Sequence, residues 1–386
     1  MATQHMTTIP TAGPAVTLDR GCRYLTRLED MPHPFAQSEL DRLSAVTRCF
    51  PFRATDRYLT LVDWTDPADP IRRLVVPHED ELDGWGSLDA SAECDYTVAP
   101  GVQHKYPSTV LFLCSRACGG ACRYCFRKRL FNSERAEAPF DLDAGLDYVA
   151  EHPNVSNVLL TGGDALMLST QRLGRIIDGL SRIPHVRVIR LGSKMLAFNP
   201  DRVRFDEELL AMFAQHDGRG PRLQLMAHFD HPREITPQAV AALRLLRDAG
   251  VTAVNQCPIV RGINDDPRTL RELFLELMFV GCPQYYVFQG RPVAGNRRYI
   301  TPIVRSHELY SQAIGEIPGL AKASRLVMSH RTGKIEIVAV DERYIYLRYH
   351  RAFATADHGR FIVCRRDDEA LWLDDLEEVD GAHLAA

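Results

Sequence analysis

From Ser108 onward, six apolar runs of strand length alternate with five stretches of helical periodicity, and this alternation limits the fold more than any other feature. The runs lie at Val110–Leu113, Asn157–Leu160, Val186–Leu191, Leu223–Ala227, Thr252–Asn255 and Tyr285–Phe288. The helical stretches lie at about 142–152, 170–183, 205–215, 237–249 and 267–280. Strands separated by helices predict a parallel sheet with right-handed crossovers, either a βα barrel or an open sheet. Functional residues are then expected just after the strands, because the carboxyl ends of parallel strands meet at one edge.

The regions on either side of this core have different patterns. Residues 17–98 carry helix-like patches such as Ser38–Val46, and the acidic run Glu79–Asp83 within them predicts a solvated face rather than a metal site. Beyond about residue 324, the alternating segments Lys334–Ala339 and Arg343–Arg348 predict two strands joined by a turn at 340–342. The chain therefore divides into a tail at 1–16 that we expect to be disordered, a helical cap region at 17–98, a barrel at 99–320 and an extension at 321–386.

A loop with three cysteines follows the first apolar run. Its sequence is Cys118-Gly-Gly-Ala-Cys122-Arg-Tyr-Cys125, so one short loop offers thiols for three corners of a cubane iron–sulfur cluster. A cluster with four cysteine ligands carries electrons, whereas an iron without a protein ligand can bind and reduce a small molecule. Half of a zinc site is the alternative, but no partner pair of Cys or His occurs nearby at zinc spacing. Cys114 offers a fourth thiol, although its place in an apolar run is typical of a core residue.

Charge and composition limit the partners of the chain. The 386 residues carry a formal net charge of −4 at pH 7, so no basic surplus predicts binding to nucleic acid or to an anionic membrane. No apolar run has the length of a membrane span. The first residues have neither the basic start nor the apolar stretch of a signal peptide, and we therefore expect a cytoplasmic protein.

Several short segments follow one another in the order of a known family. They are Pro100-Gly-Val-Gln-His-Lys-Tyr-Pro107, Cys122-Arg-Tyr-Cys-Phe-Arg-Lys-Arg129, Thr161-Gly-Gly-Asp-Ala-Leu166, His228-Phe-Asp-His-Pro232, Asn255-Gln256, Gly262-Ile-Asn-Asp265 and Gly333-Lys-Ile335. Together they resemble the lysine 2,3-aminomutase family of the radical S-adenosylmethionine superfamily. The resemblance covers roughly residues 60–345. It implies an α/β fold, a partial (βα)6 radical S-adenosylmethionine barrel with an N-terminal helical region and a small C-terminal extension that contains β-strands.

The resemblance also implies a chemistry and its cofactors. The enzyme would be an isomerase that moves the α-amino group of a small amino acid to the β-carbon. Cys118, Cys122 and Cys125 would bind a [4Fe-4S] cluster, and its free iron would bind S-adenosylmethionine. Pyridoxal 5'-phosphate would be the third cofactor, and an external reductant of the flavodoxin or ferredoxin type would supply electrons. A homo-oligomer is left open.

Residues after the later strands match positions that contact S-adenosylmethionine in this family. Gly162 and Gly163 would let the backbone approach the methionine moiety without a Cβ clash, and Asp164 would accept a hydrogen bond from its ammonium. Ser193, His228 and Gln256 are candidates for contacts with the ribose and the adenine. Without the resemblance, a Gly-Gly-Asp turn and a lone histidine after a strand are more often structural.

Four further residues match the substrate and the pyridoxal phosphate. Lys334 matches the lysine that binds the cofactor covalently, and it would be the catalytic residue, since desolvation keeps a lysine amine neutral and reactive. Lys105 and Tyr106 match contacts with the phosphate and the ring. Arg127 matches the arginine for the substrate α-carboxylate, which a planar guanidinium binds with two parallel hydrogen bonds.

Two departures from the family pattern bear on the substrate and the cofactor. Arg291 stands where lysine-specific members have an aspartate for the distal ammonium, and a cation there repels a cation. This favours a substrate other than lysine, with an acidic amino acid as the candidate. Thr109 replaces an arginine that helps to hold the phosphate, and His330 and Arg331 are candidates for its replacement.

Two alternatives to an aminomutase remain open from the sequence. One is a radical S-adenosylmethionine enzyme without pyridoxal phosphate that abstracts hydrogen in an epimerisation, dehydration or oxidation of a small metabolite. The other is an iron–sulfur electron carrier or sensor.

Overall fold

The computed structural model describes residues 21–33, 35–131 and 138–379. The tail expected at residues 1–16 lies outside the described residues. None of the helices within these ranges has the length and the apolar character that a membrane crossing requires.

Short elements surround one longer helix in the N-terminal region. They are β1 (Tyr24–Leu25), α1 (Gln37–Cys49), β2 (Ala54–Thr55), α2 (Asp56–Leu59) and α3 (Pro70–Val75). Helix α1 confirms the helix-like patch at Ser38–Val46. The region packs on the barrel, because the Tyr58 ring lies 4.6 Å from the Phe198 ring and Thr55 donates a hydrogen bond to the Phe198 carbonyl.

Strands and helices alternate through the middle of the chain. They are β3 (Thr97–Ala99), β4 (Val102–Tyr106), β5 (Thr109–Ser115), α4 (Leu142–Glu151), β6 (Asn157–Gly162), α5 (Thr170–Ser181), β7 (Val188–Ser193), α6 (Met195–Phe198), α7 (Asp201–Arg204), α8 (Glu207–His216), β8 (Arg222–Ala227), α9 (Pro237–Asp248), β9 (Thr252–Pro258), α10 (Pro267–Phe279), β10 (Gln284–Phe288) and α11 (Ile303–Gly315). The six strands and five helices predicted from the sequence are confirmed here. Helix α9 begins with an N-cap. Thr236 Oγ1 accepts a hydrogen bond from the backbone N–H of Ala239, and Pro237 is the first helical residue.

The chain closes with β11 (Arg325–His330), β12 (Gly333–Val340), β13 (Tyr344–Ala352) and β14 (Phe361–Arg365). All strands from β3 to β14 form one twelve-stranded sheet in sequential order. Neighbours from β5 to β11 pair parallel, and those at both ends pair antiparallel. The fold is thus a partial βα barrel with a β-containing extension. The domain boundaries at 98 and 320 stay predictions, and β11 continues the sheet across the second.

The two faces of the parallel strands differ. Val158, Leu160 and Ile189 are fully buried apolar residues. Residues of the alternate set line an internal cavity, among them Leu111, Leu159 and Arg190, which lie side by side in the register of β5, β6 and β7. The period of two along a strand thus places one set in the apolar core and the other at the functional site.

Candidate active site

One cavity of about 340 Å³ lies at the carboxyl ends of the parallel strands. Fourteen of the residues that the sequence singled out for a role line it: Lys105, Tyr106, Cys118, Cys122, Cys125, Arg127, Gly162, Gly163, Asp164, Ser193, His228, Gln256, Arg291 and Lys334. The fold therefore brings these residues together, although the role of each stays a prediction.

A buried carboxylate from the N-terminal region holds the cysteine loop. Glu81 accepts hydrogen bonds from Arg123 Nε at 2.9 Å and Nη2 at 2.7 Å, and from Lys128 Nζ at 3.2 Å. The prediction of a solvated face at Glu79–Asp83 is therefore wrong for Glu81, whose side chain is 0% exposed, while its neighbours in the run are exposed. The turn that contains Glu81 directs its carboxylate toward the side chains of Arg123 and Lys128. The N-terminal region thus fixes the segment that carries Cys122 and Cys125.

The thiols of Cys118, Cys122 and Cys125 are free and line the same cavity. Burial raises the pKa of all three thiols, and Asp164 and the other two cysteines raise the pKa of Cys118 further. A thiol in such surroundings keeps its proton until metal charge replaces it, so bound iron would convert all three to thiolate ligands. Lys194 favours the thiolate of Cys122.

The donor set fits a cubane cluster better than a single ion. No three Cys, His, Asp or Glu side chains converge as ligands of one ion within residues 21–33, 35–131 and 138–379. A cubane cluster instead places each cysteine ligand on a separate iron. Cys114 turns away from this set, because its buried thiol donates to the Thr161 carbonyl at 3.6 Å and does not line the cavity. Three thiols then leave one iron open.

The two glycines after β6 pack against the cysteine loop itself. Gly162 has φ +100°, and a Cβ there would lie 2.5 Å from the Ser115 carbonyl oxygen. A Cβ on Gly163 would lie 2.5 Å from the Ala117 carbonyl oxygen. Contact with the backbone of Ser115 and Ala117 is therefore a reason for both glycines that the sequence did not reveal, in addition to the expected approach to a ligand.

Asp164 and Ser193 hold neighbouring turns beside the cavity. Asp164 Oδ1 accepts from Leu166 N at 2.9 Å, and Oδ2 accepts from Lys194 N at 2.7 Å. Ser193 Oγ accepts from Met195 N at 3.0 Å. Burial raises the pKa of Asp164 to about 6. A ligand ammonium beside this carboxylate would favour its charged form, which fits the role expected for Asp164.

His228 belongs to a buried hydrogen-bond network. The sequence indicated His228 but not the other members of this network. His228 Nε2 lies 3.1 Å from Asp230 Oδ1 and 2.9 Å from the Tyr124 hydroxyl. Lys194 Nζ lies 2.6 Å from both Asp230 Oδ2 and Glu234 Oε1, so one ammonium balances two buried carboxylates. The network fixes the His228 ring. Gln256, on β9, lines the cavity as well.

Lys334, the second residue of β12, points its amine into the cavity. Nζ lies 4.2 Å from the Tyr286 ring centroid and 4.9 Å from that of Phe288. Burial lowers the pKa of Lys334 well below its usual value, and the charges of Arg291, Arg190, Arg351 and Lys105 lower it further. These surroundings favour the neutral form of the amine, which is the nucleophilic form.

Two of these cations, Arg190 and Arg351, were missed from the sequence. Arg190 lies in the middle of β7, and a charged residue inside an apolar run was a signal that could have indicated it. Arg351 lies on β13 and had no comparable signal. Lys105 and Tyr106, which were predicted, lie at the end of β4. Burial lowers the pKa of Lys105 to about 8 and raises that of Tyr106 to about 12.

The two arginines proposed for the substrate share one carboxylate, Glu93, which the sequence did not single out. Arg127 donates to Glu93 from Nε at 3.0 Å and from Nη2 at 3.2 Å, and its Nη1 donates to Thr161 Oγ1 at 2.8 Å. Arg291 Nη1 lies 3.5 Å from Glu93 Oε1, and Arg129 Nη1 donates to Oε2 at 2.9 Å. These guanidinium groups hold the pKa of Glu93 well below its usual range against the effect of burial.

Comparison with known proteins identifies relatives. Residues 112–274 match the model of the Radical SAM superfamily. A putative L-lysine 2,3-aminomutase of Aquifex aeolicus is 48% identical over 91% of this chain and 93% of the relative. The L-lysine 2,3-aminomutase of Clostridium subterminale is 33% identical over 74% of this chain and 68% of the relative. The glutamate 2,3-aminomutase of Clostridioides difficile is 31% identical over 77% and 69%, respectively.

Proposed function

Because the chain belongs to the lysine 2,3-aminomutase family of the radical S-adenosylmethionine superfamily, we propose that it is a pyridoxal phosphate-dependent 2,3-aminomutase of an acidic amino acid. The observation that carries the proposal is the charge of the cavity. Apart from Lys334, and from Lys194, which two buried carboxylates balance, its described lining contains five Lys and Arg residues but only two carboxylates, Glu93 and Asp164. Such a lining favours anionic ligands.

The cysteine loop would generate the radical. A [4Fe-4S] cluster on Cys118, Cys122 and Cys125, together with S-adenosylmethionine, supplies a carbon radical in this superfamily. Asp164 would hold the ammonium of S-adenosylmethionine, and His228 and Gln256 would contact its nucleoside. We expect a cytoplasmic enzyme that receives electrons from a flavodoxin or a ferredoxin.

Lys334 would hold the pyridoxal phosphate. When bound, this cofactor supplies a π system that carries the substrate nitrogen and stabilises an unpaired electron. The rings of Tyr286 and Phe288 beside Nζ exclude water from the amine. Lys105 and Tyr106 would contact the phosphate and the ring.

The charges around Glu93 favour a second carboxylate on the substrate. Arg127 would bind the α-carboxylate, and Arg291, stacked on the Phe126 ring at 3.9 Å, would bind the side-chain carboxylate. Glu93 does not make the site suitable for a lysine ammonium, because the guanidinium groups around it already exceed its single charge. The names of the relatives include both lysine and glutamate, and this charge balance favours the acidic substrate.

A substrate screen tests the proposal. The anaerobically reconstituted protein is incubated with S-adenosylmethionine, pyridoxal phosphate, a reductant and each proteinogenic amino acid, and β-amino acids are detected by chromatography and mass spectrometry. We expect the β-isomer of glutamate or aspartate. The β-isomer of lysine alone would contradict the substrate. Formation of 5'-deoxyadenosine without any β-amino acid or covalently bound pyridoxal phosphate would favour the radical enzyme without that cofactor.

The charge of Arg291 provides a sharper prediction. Arg291→Asp is expected to lower kcat/KM for the acidic amino acid by at least about 100-fold, because a carboxylate would then face a carboxylate. Arg297→Asp is the matched control, since Arg297 lies in the same loop but is exposed and does not line the cavity. The control is expected to retain activity. Equal activity of both variants would refute the role of Arg291.

A further inference from the structure

Cationic side chains are expected to bind the phosphate of pyridoxal phosphate. The sequence indicated only some of them, since Thr109 stands where the family has an arginine. Neither replacement suggested by the sequence lies in the right place. His330 contacts Asp374 at 3.1 Å and Thr332 at 2.8 Å, and Arg331 is exposed. Neither lines the cavity.

Arg351 lies beside Thr109, the residue that replaces the arginine. Its Nη2 donates to Thr109 Oγ1 at 3.3 Å and to Ser108 Oγ at 3.4 Å. Its guanidinium carbon lies 4.2 Å from the centroid of the Tyr106 ring. A side chain from the C-terminal extension therefore fills the space beside the threonine at the start of β5.

The same arginine is tied to Lys334 by the register of the sheet. Lys334 on β12 and Arg351 on β13 are direct partners in an antiparallel pair. Directly opposite residues of such a pair project to the same face, with Cβ atoms roughly 4.5–5.5 Å apart. An anion on Arg351 would therefore lie within reach of a cofactor whose carbonyl carbon is bound to Lys334 Nζ.

The cations on this side of the cavity have neutral partners. Lys105 Nζ donates to the His330 carbonyl at 2.6 Å, and Arg190 Nε donates to Asn157 Oδ1 at 2.7 Å. The polar contacts of Arg351 are with two hydroxyl groups. Arg127 and Arg291, in contrast, contact the carboxylate of Glu93. Lys105, Arg190 and Arg351 are half-buried, and charges withdrawn from water are normally paired, so an anion is expected on the side of Arg351.

We infer that Arg351 binds the phosphate of pyridoxal phosphate in place of the arginine that Thr109 replaces, with Lys105 and Arg190 as further cationic contacts. This inference rests on the proposed use of the cofactor at Lys334. Its chemistry is that of a planar guanidinium, which forms two parallel hydrogen bonds to phosphate oxygens.

Binding measurements with and without the phosphate test the inference. The reconstituted full-length protein is freed of cofactor and titrated with pyridoxal phosphate or with pyridoxal, and the modified Lys334 peptide is quantified by mass spectrometry after borohydride reduction. The variant Arg351→Gln is expected to bind pyridoxal phosphate about 10- to 100-fold more weakly than the wild type and to bind pyridoxal equally well. Arg351→Lys keeps the charge, and its affinity for pyridoxal phosphate is expected to lie between those of the wild type and Arg351→Gln.

The control variant is Arg348→Gln. Arg348 lies on the same strand, but its partner is Glu336 at 2.5 Å, and it does not line the cavity. It is expected to bind both ligands as the wild type does. If both Arg351 variants prefer pyridoxal phosphate over pyridoxal as strongly as the wild type does, the inference is overturned and the proposed function stays intact. No modification of Lys334 in the wild type would overturn both.

Discussion

Lys334→Ala is expected to abolish the covalent attachment of pyridoxal phosphate and the formation of any β-amino acid, since it removes the amine proposed to bind the cofactor. Reductive cleavage of S-adenosylmethionine to 5'-deoxyadenosine should remain measurable, because the cysteine loop is untouched. The measurements are mass spectrometry after borohydride reduction and chromatography of the products. Lys322→Ala is the control, since Lys322 is an exposed lysine of the C-terminal region and is expected to behave as the wild type.

The pH dependence of the attachment reports the surroundings of Lys334. An unperturbed lysine gains about 100-fold in neutral amine between pH 7 and pH 9. Burial and four neighbouring cations lower the pKa of Lys334, so a larger share of its amine is neutral at pH 7 and the attachment rate should rise by less over this range. Attachment to the alanine variant at the wild-type level, or a full 100-fold rise, would contradict this account.

Glu81→Leu is expected to destabilise the protein by about 3–5 kcal/mol, because it leaves Arg123 and Lys128 buried without their carboxylate. The side chains of these two residues are 1% and 5% exposed. The expected result is a lower midpoint of thermal unfolding, together with less iron bound after reconstitution, since the loop that these cations fix carries Cys122 and Cys125.

Glu79→Leu provides the matched control for Glu81. Glu79 lies two residues earlier, its side chain is 58% exposed, and its contact with Arg42 is a surface pair at 3.4 Å. Its replacement should change the free energy of unfolding by no more than about 0.5 kcal/mol. The double variant Glu81→Leu with Arg123→Met should recover part of the loss, since it removes a cation along with its partner. Equal unfolding midpoints for the Glu81 and Glu79 variants would refute the importance of the buried cluster.

Local patterns were sufficient for the alternation of strands and helices and for the loop with three cysteines, whereas the choice of a barrel over an open sheet came from the family resemblance. Strand and helix periodicity located six of the seven strands that pair parallel, because burial on a regular element repeats at a fixed spacing. The cysteine spacing located the candidate metal ligands, and the resemblance of the Gly-Lys-Ile segment to the family indicated Lys334. Since parallel strands end at one edge of a sheet, their convergence in one cavity also followed from the sequence.

The pairing of strands in the hairpin that carries Lys334 was not predicted by local patterns. Strands at Lys334–Ala339 and Arg343–Arg348 with a turn at 340–342 would place Lys334 opposite Arg348. The turn instead occupies residues 341–343, the ladder shifts register between Lys334 and Ile335, and Lys334 pairs with Arg351. A displaced turn and an irregularity in the ladder change the partners along the strands, so register is decided by packing of the whole sheet.

The sequence by itself determined the alternating α/β pattern and the loop with three cysteines, because each depends on residues that are near one another in the chain, and its resemblance to a family indicated the candidate lysine. The tertiary structure decided which charges are buried and what they contact. It placed Glu81 under the cysteine loop, Glu93 among the arginines and Arg351 beside Thr109, a contact between residues 242 positions apart. Ion pairs and buried charges depend on distance in space and on desolvation, and neither quantity can be obtained from the spacing of residues along the chain.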